Sequence, residues 1–290
     1  MQNGITLVVG ATGNVGGMVA RKLLRAGRKV RVLLRAHTDP APWRALGAEV
    51  AIGDLKEPAT LPAALLVVSC VVTTANSAGR APPDTPETVD LRGNIALVDA
   101  AKAAHVRHFV FLSALGADPK SPVPFLAAKG GTDAHLARSG LRWTSIQPTM
   151  FSEVWPAMIV GMPVQTGQPV TIIGEGRKRH AFISAADVAA FCTAAVDNPA
   201  AFDRVILLGG PQALTWRDVV GVFEKVAGRN IETRFVPHGS KLPGLPDVVS
   251  ALATGTDLYE SAVPMDETAR TFGVELTPLE DVVRGLLTKA

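Results

Sequence analysis

Residues 5–16 read ITLVVGATGNVG and decide the fold of this chain. The run of apolar and β-branched residues predicts a buried strand, and a helical pattern begins directly after the glycines. Gly10 allows a sharp turn, Gly13 a close approach of the backbone to a ligand, and Gly16 tight packing of the helix on the sheet. Such a turn presents unpaired backbone N–H groups and the positive end of a helix dipole to a pyrophosphate. The G-x-x-G-x-x-G spacing therefore predicts a dinucleotide-binding turn.

The composition restricts the class of protein. The 290 residues are 47% hydrophobic and 19% charged, with a formal net charge of +3. No apolar run approaches the roughly 20 residues that cross a bilayer, and the first residues lack a basic leader, so we expect a cytoplasmic protein without membrane insertion. The basic residues are scattered, which argues against a nucleic-acid partner. Cys70 and Cys192 lie in apolar surroundings and are expected to be buried free thiols.

The first half of the chain alternates strands with helices. We predict strands at 5–9, 29–34, 49–52, 66–72, 108–112 and 142–147, and helices at 88–105 and 124–139. This alternation predicts an α/β fold, a doubly wound parallel Rossmann sheet with the strand order 3-2-1-4-5-6. After Pro148 the pattern predicts short strands at 170–173, 182–184, 204–208 and 231–236, a helix that begins at Asp187 and another at 215–227.

These elements suggest two domains. Residues 1–150 form the predicted nucleotide-binding Rossmann core, and strands within 181–210 complete its sheet. Residues 151–180 and 211–290 are predicted to form a small α/β carboxyl-terminal subdomain that covers the substrate.

Arg35 indicates which dinucleotide binds. It ends the second predicted strand, where a Rossmann domain meets the adenosine ribose. An acidic residue there accepts from the ribose 2′-hydroxyl, whereas arginine pairs with a 2′-phosphate, so the predicted cofactor is NADP(H). His37 is expected to assist, and Asp54 to lie near the adenine amino group. The alternatives are an ordinary exposed arginine and, for Asp54, a capping residue.

Five segments in the same order resemble one family. They are GATGNVG at 10–16, GDL at 53–55, FVFLS at 109–113, SGLRWT at 139–144 and FISAADVA at 182–189. Together they are similar to the NmrA-like branch of the atypical short-chain dehydrogenase/reductases, over most of the chain. The resemblance implies a Rossmann fold with a small carboxyl-terminal subdomain and NADP binding. It also implies either reduction of small organic acceptors, as in quinone-type and plant phenylpropanoid reductases, or cofactor sensing, as in regulators without turnover.

The catalytic residues depart from the superfamily pattern. Its classical members carry a tyrosine and a lysine four residues apart on one helix face, but here that register holds Phe125 and Lys129, and the only tyrosine is Tyr259. In the family the matching lysine holds the nicotinamide ribose, and Ser113 matches the active-site serine position. The alternatives are a solvated lysine and a serine that caps a turn.

The missing tyrosine bears on the substrate. Hydride transfer to a simple ketone needs a positioned acid, whereas a quinone, an enone or a cationic dye leaves a delocalised anion or a neutral product. We therefore expect a small conjugated, flat and apolar acceptor, beside a wall that includes Met150, Phe151 and Trp155. The alternative is that these three side chains are simply core.

The predicted site is as follows. The catalytic residues are Lys129 and Ser113, and the cofactor-binding residues are Gly10, Thr12, Gly13, Asn14, Val15, Gly16, Arg35, His37, Asp54, Leu55, Thr73, Thr74, Lys129, Pro148, Met150 and Phe151. No metal is expected, because His105 and His108 have no carboxylate near them in the sequence. A monomer or a homodimer is expected. The alternative functions are a non-catalytic NADP(H)-binding sensor or assembly factor, and an epimerase or lyase without net redox.

Overall fold

The computed structural model describes residues 4–288. The strands are β1 (Ile5–Val9), β2 (Val30–Leu34), β3 (Glu49–Ile52), β4 (Val68–Thr73), β5 (His108–Leu112), β6 (Arg142–Pro148), β7 (Val170–Ile173), β8 (His180–Ala181), β9 (Arg204–Leu208), β10 (Ala213–Leu214) and β11 (Thr233–Val236).

The described residues also form α-helices. They are α1 (Asn14–Arg25), α2 (Ala41–Ala45), α3 (Leu61–Ala64), α4 (Asn94–Ala103), α5 (Pro124–Arg138), α6 (Met162–Thr166), α7 (Ala185–Ala195), α8 (Trp216–Ala227), α9 (Asp247–Thr256), α10 (Asp266–Phe272) and α11 (Leu279–Leu287). Within residues 4–288, no helix is both long and apolar enough to cross a membrane.

The main sheet confirms the predicted order. Its seven strands run β3-β2-β1-β4-β5-β6-β9, and the pairs from β3 to β6 are parallel. Val8 of β1 lies between Val32 of β2 and Val72 of β4. Strands β1, β4 and β5 are buried along their whole length, which is why they read as continuous apolar runs in the sequence.

The chain divides into two compact units. The first comprises the chain up to Pro148 together with Val188–Leu207 and Thr271–Gly273, and the second comprises Thr149–Asp187, Leu208–Arg270 and the chain from Val274 on. The core of the first unit includes Phe109 and Phe111 of β5 and Leu97 of α4, which are fully buried.

The second unit has its own core and two small sheets. Strands β7 and β11 pair in parallel, and β8 pairs with β10 antiparallel. Its core includes Trp216 and Phe223 of α8, together with Ile172 of β7. Capping of α8 is reciprocal, since Thr215 and Asp218 each accept from the other's backbone N–H.

Two local predictions were wrong. The strand predicted at 182–184 lies at His180–Ala181, because its partner β10 is only two residues long; Ile183 forms an isolated bridge with Phe151. The helix predicted from Asp187 begins at Ala185, and the Ser184 hydroxyl accepts from the Asp187 backbone N–H. Ser184 therefore caps this helix.

The helix predicted at 88–105 has two parts. A π-helical segment, Pro86–Gly93, precedes α4, and it begins at a reciprocal cap between Thr85 and Thr88. Asp90 lies within the π-helical segment and is completely buried. Segments of this kind occur often at functional sites.

Candidate functional site

The glycine turn after β1 adopts the conformation that its sequence predicts. Gly10 has a φ of +86°, and a Cβ there would lie 2.8 Å from the backbone nitrogen of Ala75. A Cβ on Gly16 would lie 2.3 Å from the Gly10 carbonyl oxygen, so only glycine fits where α1 packs on the turn. At Gly13 the nearest such atom is the Gly10 carbonyl oxygen, at 3.3 Å. Packing therefore demands glycine at 10 and 16, and at 13 it leaves the backbone accessible.

The amino terminus of α1 is open to an anion. Gly13 is its N-cap and has no side chain, and the first turn, 14–17, carries only neutral residues. The first backbone N–H groups of a helix lack partners inside it, and the helix dipole favours negative charge beside them. This arrangement fits the pyrophosphate of a dinucleotide. Thr12, Asn14 and Val15 lie at that end of α1, and their contact with a cofactor stays a prediction.

Three cations meet beside this turn. Arg35, directly after β2, donates from Nη1 to Asp84 Oδ2 at 2.9 Å. Arg80 donates to the same oxygen at 3.3 Å, and Lys56 donates to the other oxygen of Asp84. The Lys56 hydrogen bond, and after it that of Arg35, lowers the pKa of the Asp84 carboxyl to about 2. We call Arg35, Lys56 and Arg80 the cation cluster.

Arg35 and Arg80 of the cation cluster line a cleft at the carboxyl ends of β1 and β2. Its lining includes five residues of the predicted site, namely Gly10, Thr12, Arg35, Asp54 and Leu55, and it also includes Thr38, Arg80 and Asp84. His37 is exposed and lies outside this lining. Asp54 accepts from the Lys56 backbone N–H at 2.9 Å, which caps the turn after β3.

Thr73 ends β4, and Thr74 comes next and lies beside the glycine turn. The Thr73 hydroxyl donates to Asn94 at 2.9 Å, and the Thr74 hydroxyl donates to the Val9 carbonyl at 3.3 Å. Both side chains are buried. Their hydroxyls therefore join β1 and α4 to the end of β4, and contact with a cofactor stays a prediction for both.

Lys129 is buried in the first unit. Its side chain is 2% exposed, and Nζ lies 3.2 Å from Asp90, whose side chain is fully buried. Nζ also donates to the Leu112 carbonyl at the end of β5 and lies 4.7 Å from the Phe111 ring centroid and 5.5 Å from that of Phe125. Burial lowers the pKa of the Lys129 ammonium, and the charge of Asp90 opposes that shift. The structure thus excludes a solvated surface lysine.

Asp90 is fixed by several contacts. Its Oδ2 accepts from the backbone N–H and the hydroxyl of Ser77, at 2.9 and 2.6 Å. Its carbonyl accepts from Thr132, one turn along α5 from Lys129. These contacts hold one carboxylate oxygen away from Lys129 and the other toward it.

Ser113 lies immediately beyond Leu112 and joins a second polar group. Its hydroxyl donates to Asp133 Oδ2 at 2.6 Å, and Gln147 Nε2 donates to the same oxygen at 3.1 Å. Burial raises the pKa of the Asp133 carboxyl, whereas these donors and Lys129 oppose the rise. Lys129 and Asp133 are four residues apart on α5, so both face the carboxyl end of β5. Ser113 and Lys129, predicted together, are brought together there.

Pro148 ends β6 beside this group, and its carbonyl accepts from the Leu115 backbone N–H at 3.0 Å. Met150 and Phe151 belong to the second unit. Met150 and Trp155 pack against the core of that unit, and Phe151 bridges Ile183. Contact of these residues with a cofactor or substrate stays a prediction.

A Cys–His–Asp cluster lies elsewhere in the first unit, formed by Cys70, His108 and Asp197. His108 Nδ1 accepts from the Asp197 backbone N–H at 3.3 Å, and Nε2 lies 2.9 Å from the hydroxyl of Thr144, which itself donates to Ala201. Burial lowers the pKa of His108 to about 4. Both ring nitrogens are therefore used within the protein, as in a neutral core histidine.

The strand order and the glycine turn define a Rossmann-fold protein of the dinucleotide-binding class. The model of the NmrA-like family matches residues 2–281, and the chain belongs to this family.

Named relatives are of two kinds. The chain is 35% identical over 225 residues to NAD(P)H azoreductase of Xenophilus azovorans, covering 78% of this chain and 74% of that one. It is 29% identical over 233 residues to the photosystem II assembly factor Ycf39 of Trieres chinensis, covering 80% and 72%. The structure of the Escherichia coli NADPH-dependent quinone oxidoreductase QOR2 with NADPH matches with a TM-score of 0.80 at 23% identity, covering 98% and 99%. The last match shows a shared fold.

Proposed function

We propose that this chain is an NADPH-dependent reductase of small conjugated acceptors. The observation that carries the proposal is the cation cluster beside the glycine turn, since a 2′-phosphate is held by cations of this kind. The 35% identity to a protein named NAD(P)H azoreductase supports a reductase.

The described residues fit NADPH. The backbone at the glycine turn and the amino terminus of α1 would hold the pyrophosphate, and the cation cluster the 2′-phosphate. Asp54 and Leu55 would face the adenosine, and Lys129 and Ser113 the nicotinamide ribose. NADPH, when bound, supplies a hydride.

The polar groups at Lys129 restrict the acceptor. Phe125 stands in the tyrosine register and has no proton to donate. The Ser113 hydroxyl hydrogen is directed to Asp133, so Ser113 offers its lone pairs, rather than a proton, to a ligand. Lys129 is held by the Leu112 carbonyl and the Asp90 carboxylate and contributes positive charge. Positive charge without a positioned acid suits an acceptor that spreads the charge it receives, such as a quinone or an enone.

The proposal includes a flat, apolar binding surface for this acceptor. Met150, Phe151 and Trp155 would supply it, because thioether and aromatic side chains pack well against planar rings.

A second candidate is a non-catalytic NADP(H)-binding assembly factor or sensor. Two observations favour it: the absence of a tyrosine at position 125, and the 29% identity to a photosystem II assembly factor. This candidate keeps the cofactor site and lacks turnover.

One experiment separates the two candidates. NADPH bound to the protein is mixed in a stopped-flow instrument with a quinone, an enone, an azo dye or a simple ketone, and NADPH fluorescence is followed. The reductase is expected to accelerate oxidation by the conjugated acceptors and not by the ketone. Tight NADPH binding with no acceleration by any acceptor would contradict the reductase and support the binding protein.

A further inference from the structure

We propose that Asp84 is an internal substitute for the 2′-phosphate: its carboxylate occupies the cation cluster and must be displaced when NADPH binds. The inference rests on the proposed NADPH site and adds a residue that sets how tightly the 2′-phosphate is held.

The contacts of Asp84 resemble those of a bound anion. The three cations come from separate segments, after β2, after β3 and from the loop before the π-helical segment, and they converge on one carboxylate. The Asp84 side chain is 9% exposed, whereas those of Arg35, Lys56 and Arg80 are 34%, 23% and 35% exposed. The carboxylate is thus enclosed by cations that remain accessible to a ligand.

The net charge of the cation cluster favours an anion that carries more than one negative charge. The three cations face Asp84 and, at 3.8 Å from Lys56, Asp54, which leaves one positive charge in excess. A phosphate monoester carries roughly −1.5 to −2 charges at neutral pH and three acceptor oxygens. It would therefore balance the cation cluster better than the single charge of Asp84 does.

The size of the cleft also indicates displacement. It measures about 70 Å³, whereas sites for small molecules and cofactors measure roughly 300–1,000 Å³. Arg80 and Asp84 form part of its wall. Departure of Asp84 from the cation cluster would widen the cleft on the side that Arg80 and Asp84 line.

Apart from the ion pairs of Asp84, few contacts hold the segment 80–84. Residues 78–83 are exposed, and the segment is held by turn hydrogen bonds, from Arg80 to Ser77 and from Asp84 to Ala81, rather than by a strand ladder. Loops with exposed backbone and few buried apolar contacts open at the lowest free energy. The contact of Asp84 with the cation cluster is therefore its main anchor.

The test measures binding of adenosine 2′,5′-bisphosphate and of 5′-AMP by isothermal titration calorimetry. Asp84→Asn keeps the shape of the side chain and removes its charge. Because the competing charge is removed, it is expected to tighten binding of the bisphosphate by about tenfold and to change 5′-AMP binding by less than about twofold. In an Arg35→Gln background the gain should shrink, because one of the released cations is missing.

The matched control is Glu87→Gln. Glu87 lies three residues beyond Asp84 and pairs with Arg92 on the surface. The substitution therefore removes one negative charge without changing the cation cluster. It should leave binding of both nucleotides unchanged. Asp84→Ala serves as the second variant if Asp84→Asn does not fold.

Three results would overturn the inference. Weaker binding of the bisphosphate to Asp84→Asn would mean that Asp84 orients the cations. Weaker binding of 5′-AMP would mean that Asp84 holds the ribose. Unchanged binding would mean that it does not compete. If neither wild type nor variant bound the bisphosphate, the NADPH site itself would fail. If the gain appeared but no acceptor oxidised NADPH, only the reductase proposal would fail.

Discussion

Replacement of Lys129 by methionine is expected to destabilise the protein strongly. The ammonium is 2% exposed and pairs with a fully buried Asp90. Methionine fills much of the same space but leaves the Asp90 charge buried without its partner. Removal of one partner from a buried ion pair costs about 3–5 kcal/mol, a large share of the roughly 5–15 kcal/mol that stabilises a folded protein. Loss of activity in such a variant therefore does not by itself show a catalytic role.

Urea unfolding, followed by both fluorescence and circular dichroism, measures this cost through the midpoint and slope. The control is Lys102→Met, at an exposed lysine in the last turn of α4, which should change the free energy of unfolding by less than about 0.5 kcal/mol. Adding Asp90→Asn to Lys129→Met should recover part of the loss, because the orphaned charge is removed. A cost below about 1 kcal/mol for Lys129→Met, or no recovery in the double variant, would refute a stabilising buried pair.

Three further predictions concern the cofactor turn and the polar group at β5. Arg35→Gln should weaken NADPH binding about 10- to 100-fold, because a charge-assisted hydrogen bond is lost, and should barely change NADH binding. Equal losses of affinity in titrations with NADPH and with NADH would contradict a contact with the 2′-phosphate. Gly16→Ala should lower the free energy of unfolding by about 1–3 kcal/mol, because the added Cβ clashes with the Gly10 carbonyl. Gly221→Ala is the control: a Cβ there meets open space in α8 and should raise the free energy of unfolding by about 0.5–1 kcal/mol. If urea unfolding showed the same effect for both variants, the close approach at Gly16 would be ruled out. The pKa of Asp133 is raised, so the carboxyl protonates as the pH falls through that pKa, and the Ser113 hydroxyl becomes free to donate. Turnover of carbonyl acceptors should therefore rise on the acidic limb of the pH–rate profile. Asp133→Asn should abolish that limb.

The sheet could be predicted because the apolar pattern of its strands agrees with the buried positions that these strands take in the fold. Strands β1, β4 and β5 are buried on both faces, so their apolar runs stand out, and the order of parallel strands follows from right-handed crossovers. The strand predicted at 182–184 failed for the opposite reason. Its extent depends on β10, a partner of two residues that no local pattern in the segment encodes.

The polar partners of the site escaped prediction. Lys56, Arg80 and Asp84 meet Arg35 only because the loops after β2, β3 and β4 end at one edge of the sheet. Each of the three is an ordinary charged loop residue in the sequence. Asp90 and Asp133 sit in helical segments, where a carboxylate normally faces water. The one available signal for Asp133 was its spacing of four residues from Lys129, which places both on the same helix face.

Burial of the two thiols bears on survival in the presence of the proposed substrates. Cys70 and Cys192 are both fully buried and unpaired, and burial raises the pKa of each, that of Cys192 to about 12. The thiolate is the form that attacks electrophiles, and quinones and enones are electrophiles that alkylate thiolates. An enzyme whose only cysteines are held as inaccessible thiols is protected against covalent inactivation by the compounds that it would reduce.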